Sequence, residues 1–204
     1  AFLFLSAFVC VRYAHTDNRL VAITAAFLGC CIWMKNEGMM LAIIFLLFYA
    51  RTLLAGGRYK WFLAGISLPL LAWAVLKAGA PANDLVKGQG SVSLARLTDV
   101  HRYQLIGKYF YSIITTGLMP LVVATAVYLL FCYQMRRWPG KNLLLLLMCV
   151  VGFTMVYVLT PLDLEWHLGT SADRILFQLV PAYIYVMAAN YCNVSLVSNA
   201  QPFE

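Results

Sequence analysis

One segment, Thr160–Arg174, holds most of the side chains that could do chemistry, and it lies between two long apolar runs. Its polar and ionisable residues are Thr160, Asp163, Glu165, His167, Thr170, Ser171, Asp173 and Arg174. In a helix, the positions i, i+3, i+4 and i+7 share one face. The residues with that spacing are His167, Thr170, Ser171 and Arg174. Charged groups beside membrane spans are costly unless they meet water or a polar ligand. We therefore interpret the segment as a candidate site.

The cations of this segment suit a phosphate. Arg174 can offer a planar guanidinium fork to phosphate oxygens. His167 could donate to the same phosphate or move a proton. In the alternative interpretation, Asp173 pairs with Arg174 or Asp163 with His167, and the charges only neutralise each other.

A second polar cluster, Lys35–Gly38, ends an apolar run. Lys35 could hold a phosphate as a point charge, with Asn36 and Glu37 supporting it, and Gly38 would let backbone approach closely. Equally, Lys35 could extend to the membrane surface and pair with Glu37. His101 and Arg102, in the polar segment 80–106, are interpreted as solvated loop charges.

The composition indicates an integral membrane protein. Of 204 residues, 63% are hydrophobic and 11% are charged, whereas soluble domains carry about 25% charge. The net charge of +7 fits cationic cytoplasmic loops, and no basic patch with interleaved aromatics predicts nucleic-acid binding. The cysteines lie in apolar runs without metal-ligand spacing, so we expect no metal site.

The elements that must position these clusters are predicted to be all-α, in a single transmembrane domain over residues 1–204. About seven spans are expected, the first truncated, so we expect the chain to be the C-terminal part of a longer protein. The expected segments are 1–13, 20–34, 39–50, 61–79, 109–134, 143–159 and 175–197. Residues 20–50 fit two short helices that turn at Lys35–Gly38, or one broken re-entrant segment. Ser93–Tyr103 could form an amphipathic helix on the membrane.

Loop charges predict the orientation. The loops 12–19, 51–60 and 136–141 carry eight of the 15 Lys and Arg residues against one acid. The positive-inside rule therefore places them in the cytoplasm. The alternate segments 35–38, 80–106 and 160–174 carry six of the eight acids. Both candidate clusters are thus predicted to share the outer side.

The Lys-Asn-Glu-Gly turn and the later run Thr-Pro-x-Asp-Leu-x-Trp-His-Leu-x-Thr-Ser-x-x-Arg resemble those of polytopic glycosyltransferases of the GT-C fold. The likeness is to bacterial members near the protein O-mannosyltransferases and aminoarabinose transferases. In that family the Lys-Gly turn lies near the lipid-phosphate pocket.

The resemblance implies transfer of a sugar from a polyprenyl-phosphate donor to a lipid, glycan or protein acceptor at the outer face of a bacterial inner membrane. Lys35, His167 and Arg174 would bind the donor phosphate. The supporting residues would be Asn36, Glu37, Asp163, Glu165, Ser171 and Asp173. The general base, a carboxylate in the family's first outer loop, would precede Ala1. No cofactor is expected, and metal dependence stays open.

Two other functions fit the same residues. A flippase or transporter of an anionic lipid would use the same cations, with Pro69, Pro120 and Pro181 interrupting its helices. A non-catalytic membrane subunit is the third hypothesis. Polar residues gather at the outer boundary rather than at span centres, which favours surface chemistry over a path through the membrane.

Overall fold

The computed structural model describes residues 1–34, 36–79, 96–134, 136 and 138–198. The described chain is helical and contains no strand, which confirms the all-α prediction. The helices are α1 (Phe2–Tyr13), α2 (Asn18–Met34), α3 (Asn36–Leu54), α4 (Tyr59–Ala78), α5 (Val100–Ile113), α6 (Met119–Gln134), α7 (Lys141–Leu159), α8 (Leu164–Phe177) and α9 (Val180–Ser198).

Four helical segments in the described part of the chain are long and apolar enough to cross a membrane. They are Glu37–Leu54, Tyr59–Ala78, Val100–Gln134 and Lys141–Leu159. The helices α1 and α2 are apolar but shorter. An integral membrane protein is consistent with these lengths, since about 20 apolar residues cross a hydrocarbon core. The total of seven spans stays a prediction.

The chain divides into two compact units. The first contains α1–α4 and residues 148–153 of α7. The second contains the rest of α7 together with α5, α6, α8 and α9. Residues 36–38 therefore belong to the first unit, and the candidate segment 160–174 belongs to the second.

In the first unit, α2 packs against α1, α3 and α4. Small residues let α2 and α4 approach closely. A Cβ added to Gly65 would lie 2.0 Å from the Ala22 carbonyl oxygen, and one on Gly29 would lie 2.7 Å from the Pro69 side chain. Such backbone contact is how small residues join helices in membranes, where burial of apolar surface provides little force.

Aromatic rings fill the space between α1 and α3. Phe4 and Phe8 meet Phe45 edge to face, with ring centroids 5.9 and 5.1 Å apart. Tyr49 stacks on Phe45 at 4.9 Å. All four side chains are buried, and this geometry adds to the packing energy of the core.

Residues 20–50 form two helices, α2 and α3, that pack against each other across a turn. Two short spans and one broken re-entrant segment would both give this arrangement, so the two short spans stay a prediction. Gly38 makes the turn possible, because a Cβ there would lie 1.9 Å from the Cys31 carbonyl oxygen. Gly38 therefore packs directly against the backbone of α2.

In the second unit, one long helical stretch runs from Val100 to Gln134 and is interrupted by a π-helical segment, Ile114–Leu118. Pro120 follows the segment and has no N–H for the Thr116 carbonyl, so the regular pattern cannot pass through it. The Thr116 hydroxyl donates to the Ser112 carbonyl oxygen at 2.8 Å.

Two predicted boundaries are wrong. The predicted surface helix reaches Tyr103, but Asp99 caps α5 and Val100–Ile113 forms the start of the long stretch; residues 93–95 lie outside the described residues. The predicted last span begins at Ile175, but α8 continues to Phe177 and α9 begins at Val180. Pro181 explains this break, because it cannot donate to the Phe177 carbonyl four residues earlier.

Candidate functional site

The segment 160–174 folds mainly as helix α8, and its first turn is well specified by the sequence. The Asp163 carboxylate accepts a hydrogen bond from the Trp166 backbone N–H at 2.8 Å, which makes Asp163 the N-cap. Glu165 lies in the first turn and Arg174 in the last. Both charges are favourable there, because a helix is positive at its N-terminus and negative at its C-terminus.

The helix separates the predicted site residues into a buried and an exposed set. Ser171 is buried and His167 is half-buried. The exposed residues of the segment include Asp163, Glu165, Trp166, Thr170, Asp173 and Arg174. The boundary therefore passes through the predicted face: Thr170 and Arg174 are open to the surroundings, and Ser171 points into the unit.

His167 is held by the end of α7. Its Nδ1 lies 3.1 Å from the Thr160 hydroxyl oxygen, and its ring meets the Tyr157 ring edge to face at 5.0 Å. Thr160 and Tyr157 are both buried. The imidazole is thereby fixed between a hydroxyl group and an aromatic face, which limits its rotation.

Ser171 connects the same two helices. Its hydroxyl donates to the His167 carbonyl oxygen at 2.7 Å and lies 2.8 Å from the Tyr157 hydroxyl. A buried hydroxyl needs such partners. Ser171 therefore supports the site by anchoring α8.

Two arginines, which sequence reasoning did not select, bind the C-terminal end of α7. The Arg102 Nη2 donates to the carbonyl oxygens of Tyr157 at 3.1 Å and Thr160 at 3.0 Å. The Arg96 Nη1 donates to the Leu159 carbonyl oxygen at 3.3 Å. The last carbonyls of a helix lack intrahelical donors and carry negative partial charge, so guanidinium groups stabilise this end.

The interpretation of Arg102 as a solvated loop charge is therefore wrong. It is half-buried, and its Nε is buried without a hydrogen-bond partner. His101 is exposed, and its backbone N–H donates to Asp99 at 3.0 Å. The N-cap at Asp99 is a sequence signal that places Arg102 in a first helical turn. Its acceptors lie 55 and 58 residues away, and no local pattern contains that pairing.

The second predicted cluster belongs to the first unit. Lys35 lies outside the described residues. Asn36 begins α3, and Glu37, in its first turn, is half-buried. A carboxylate in this position stabilises the helix through its dipole. A structural contribution of Glu37 is thus present, and its predicted supporting role at a phosphate stays a prediction.

No three His, Cys, Asp or Glu side chains of the described residues lie close enough to hold a metal ion. Comparison of the chain with known protein families, curated proteins and solved structures finds no match. The candidate site therefore rests on its own geometry: an anchored helix that exposes Arg174, with His167 fixed at its border.

Proposed function

We propose that this chain belongs to a membrane glycosyltransferase of the GT-C type that takes its sugar from a polyprenyl-phosphate donor. Arg174 would bind the donor phosphate at the outer face of a bacterial inner membrane, assisted by His167. The observation that carries the proposal is the exposed Arg174 on α8, a helix anchored to α7 through Tyr157 and Ser171.

The proposed chemistry needs a cation at this place. The bond between the sugar's anomeric carbon and the phosphate oxygen breaks, and a bond from that carbon to the acceptor oxygen forms. The acceptor gives its proton to a general base, and the polyprenyl phosphate leaves with the additional negative charge. A guanidinium group that meets the phosphate oxygens stabilises this charge as it develops. No residue of the described chain is proposed as the base.

The positions of charged residues favour this function over a flippase. Apart from Lys108, every Asp, Glu, Lys and Arg of the four candidate spans lies within three residues of an end of its span. Lys108 lies deepest, eight residues after Val100, and it is exposed. Lys77 is also exposed and lies one residue before the end of α4. A path through the membrane for an anion would require polar groups at intermediate depth.

The test is binding of polyprenyl phosphate to the full-length protein in lipid nanodiscs, with neutral polyprenol as the matched ligand. We expect preference for the phosphate, and Arg174→Ala should weaken it about tenfold or more, because a charge-assisted hydrogen bond contributes about 1.5–3 kcal/mol. Arg174→Lys should retain part of the affinity. The control is Arg51→Ala, which removes an exposed charge from the last turn of α3.

A transfer assay separates the two functions. The full-length protein is incubated with a polyprenyl-phosphate-linked, radiolabelled hexose in vesicles. Release of polyprenyl phosphate with loss of the label from lipid supports a transferase. Movement of the intact labelled lipid between leaflets would replace the proposal with the flippase. Equal binding of phosphate and polyprenol would overturn the role of Arg174.

A further inference from the structure

We propose that Arg102 is a positioning residue for His167, and that it acts through Thr160. All three residues lie in the second unit. The inference rests on the proposed function for its biological role, since a fixed imidazole matters because of the donor phosphate. The proposed interaction itself needs no substrate, because the Arg102 guanidinium group on α5 sets the orientation of the His167 imidazole on α8.

The first step is the turn that ends α7. Thr160 leaves the helix with φ −56° and ψ 135°. The Tyr157 carbonyl belongs to the last turn of the helix, and the Thr160 carbonyl follows it. One nitrogen of Arg102, Nη2, donates to both. It therefore fixes the direction in which Thr160 departs from α7.

The second step leads from Thr160 to the imidazole. The Thr160 hydroxyl oxygen lies 3.1 Å from the His167 Nδ1 and also accepts from the Leu162 N–H at 3.4 Å. The Thr160 side chain is 2% exposed, and threonine has few χ1 states. The backbone of Thr160 therefore fixes the position of its hydroxyl group. That position in turn determines how the His167 ring is oriented, because the hydroxyl oxygen bonds its Nδ1.

The cost of Arg102 in this place supports a specific role. Its Nε is buried without a partner, and a buried donor that makes no hydrogen bond destabilises the fold. A polar residue that only solvated the loop would avoid this cost. The Arg102 guanidinium stays charged throughout the physiological pH range, so its hold on the two carbonyls is constant.

Arg96 offers a matched control. Like Arg102, it binds a backbone carbonyl at the C-terminal end of α7, but its Nη1 donates to Leu159. The Leu159 side chain has no hydroxyl group that could bond the His167 ring. Substitution of Arg96 removes a guanidinium group from the end of α7 and leaves the Arg102–Thr160–His167 chain in place.

The experiment measures the tautomer ratio of neutral His167 in the protein without substrate. The chain has three histidines, so ¹⁵N-histidine labelling in nanodiscs gives few NMR signals, and His15→Gln and His101→Gln assign them. The pH is raised until the imidazole signals no longer change, so that the neutral form of each ring is compared. We expect one dominant tautomer for His167. In Thr160→Val the ratio should change about fivefold, the effect of one ordinary hydrogen bond.

Arg102→Gln should change the ratio in the same direction as Thr160→Val, Arg102→Lys should change it less, and Arg96→Gln should leave it as in the wild type. Unfolding of each variant by SDS in mixed micelles shows whether the variant is folded. An unchanged His167 ratio in Arg102→Gln would overturn the positioning role, as would equal changes in Arg102→Gln and Arg96→Gln. Because the experiment contains no sugar donor, these outcomes stay the same if the proposed transferase function is wrong.

Discussion

The two units stabilise their helices in different ways. In the first, α2 and α4 touch through backbone and small residues, with Gly65 against the Ala22 carbonyl. In the second, polar side chains bind backbone groups where helices end, as Arg102 binds the carbonyls of Tyr157 and Thr160.

The difference follows from where each helix meets its neighbour. A continuous helix satisfies its own backbone in hydrocarbon, so close packing is sufficient to join it to another. A helix end leaves carbonyls without donors, and these need a side chain or water. Residues able to bind a polar ligand therefore gather beside helix ends, and α8 with its exposed Arg174 is the example in this molecule.

The close packing of α2 against α4 in the first unit is tested most strongly at Gly65. We expect Gly65→Leu to lower the free energy of unfolding by about 3 kcal/mol, because its side chain would meet the Ala22 backbone and force α2 and α4 apart. Unfolding by SDS in mixed micelles measures the loss. The control is Gly107→Ala on α5, where an added Cβ meets nothing within 4 Å; it should be neutral or stabilising by up to about 1 kcal/mol. Equal stability of both variants would contradict the close contact.

The polar contact that joins α7 to α8 in the second unit is tested at Tyr157. Tyr157→Phe keeps the ring against His167 and removes the hydroxyl that bonds Ser171. We expect a loss of about 2 kcal/mol in the same unfolding measurement, because Ser171 is buried and keeps only its bond to the His167 carbonyl. Tyr111→Phe is the control, since Tyr111 is 70% exposed. A loss no greater than that of the control would mean that packing alone holds α8.

The smallest effect is expected at the start of α8. Asp163→Ala removes the acceptor for the Trp166 N–H and should cost about 1 kcal/mol, the usual value of an N-cap. Asp163→Asn should retain most of the stability, because asparagine caps as well. If both variants unfold like the wild type, the buried face of α8 determines the helix without its cap.

Much of the helical pattern could be predicted because its causes are local. Long apolar runs predict the segments of α4 and α7 to within two residues, whereas α3 is three residues longer at its start and four at its end than the predicted segment 39–50. Pro120 marked the irregular stretch that forms the π-helical segment. The apolar pattern does not show the break before α9, because residues 175–177 continue it, although Pro181 signals that break.

The candidate site was only partly predictable. The spacing of His167, Thr170, Ser171 and Arg174 places these residues on one face only on condition that the segment is helical, and the structure forms that helix with Asp163 as its N-cap. The division of these residues into buried and exposed was not available from the spacing. It depends on where α7 lies, and Tyr157 is 14 residues from its partner Ser171.

The sequence by itself determined that the described chain is helical, that its long helices are apolar, and that Thr160–Arg174 is a polar segment between apolar runs. Composition, proline positions and helix caps act within a few residues, so they can be read along the chain. Only the tertiary structure decided that Arg102 binds the end of α7 and that Thr160 meets His167. The acceptors of a helix end are the same backbone atoms in every sequence, so only the folded chain determines which side chain reaches them.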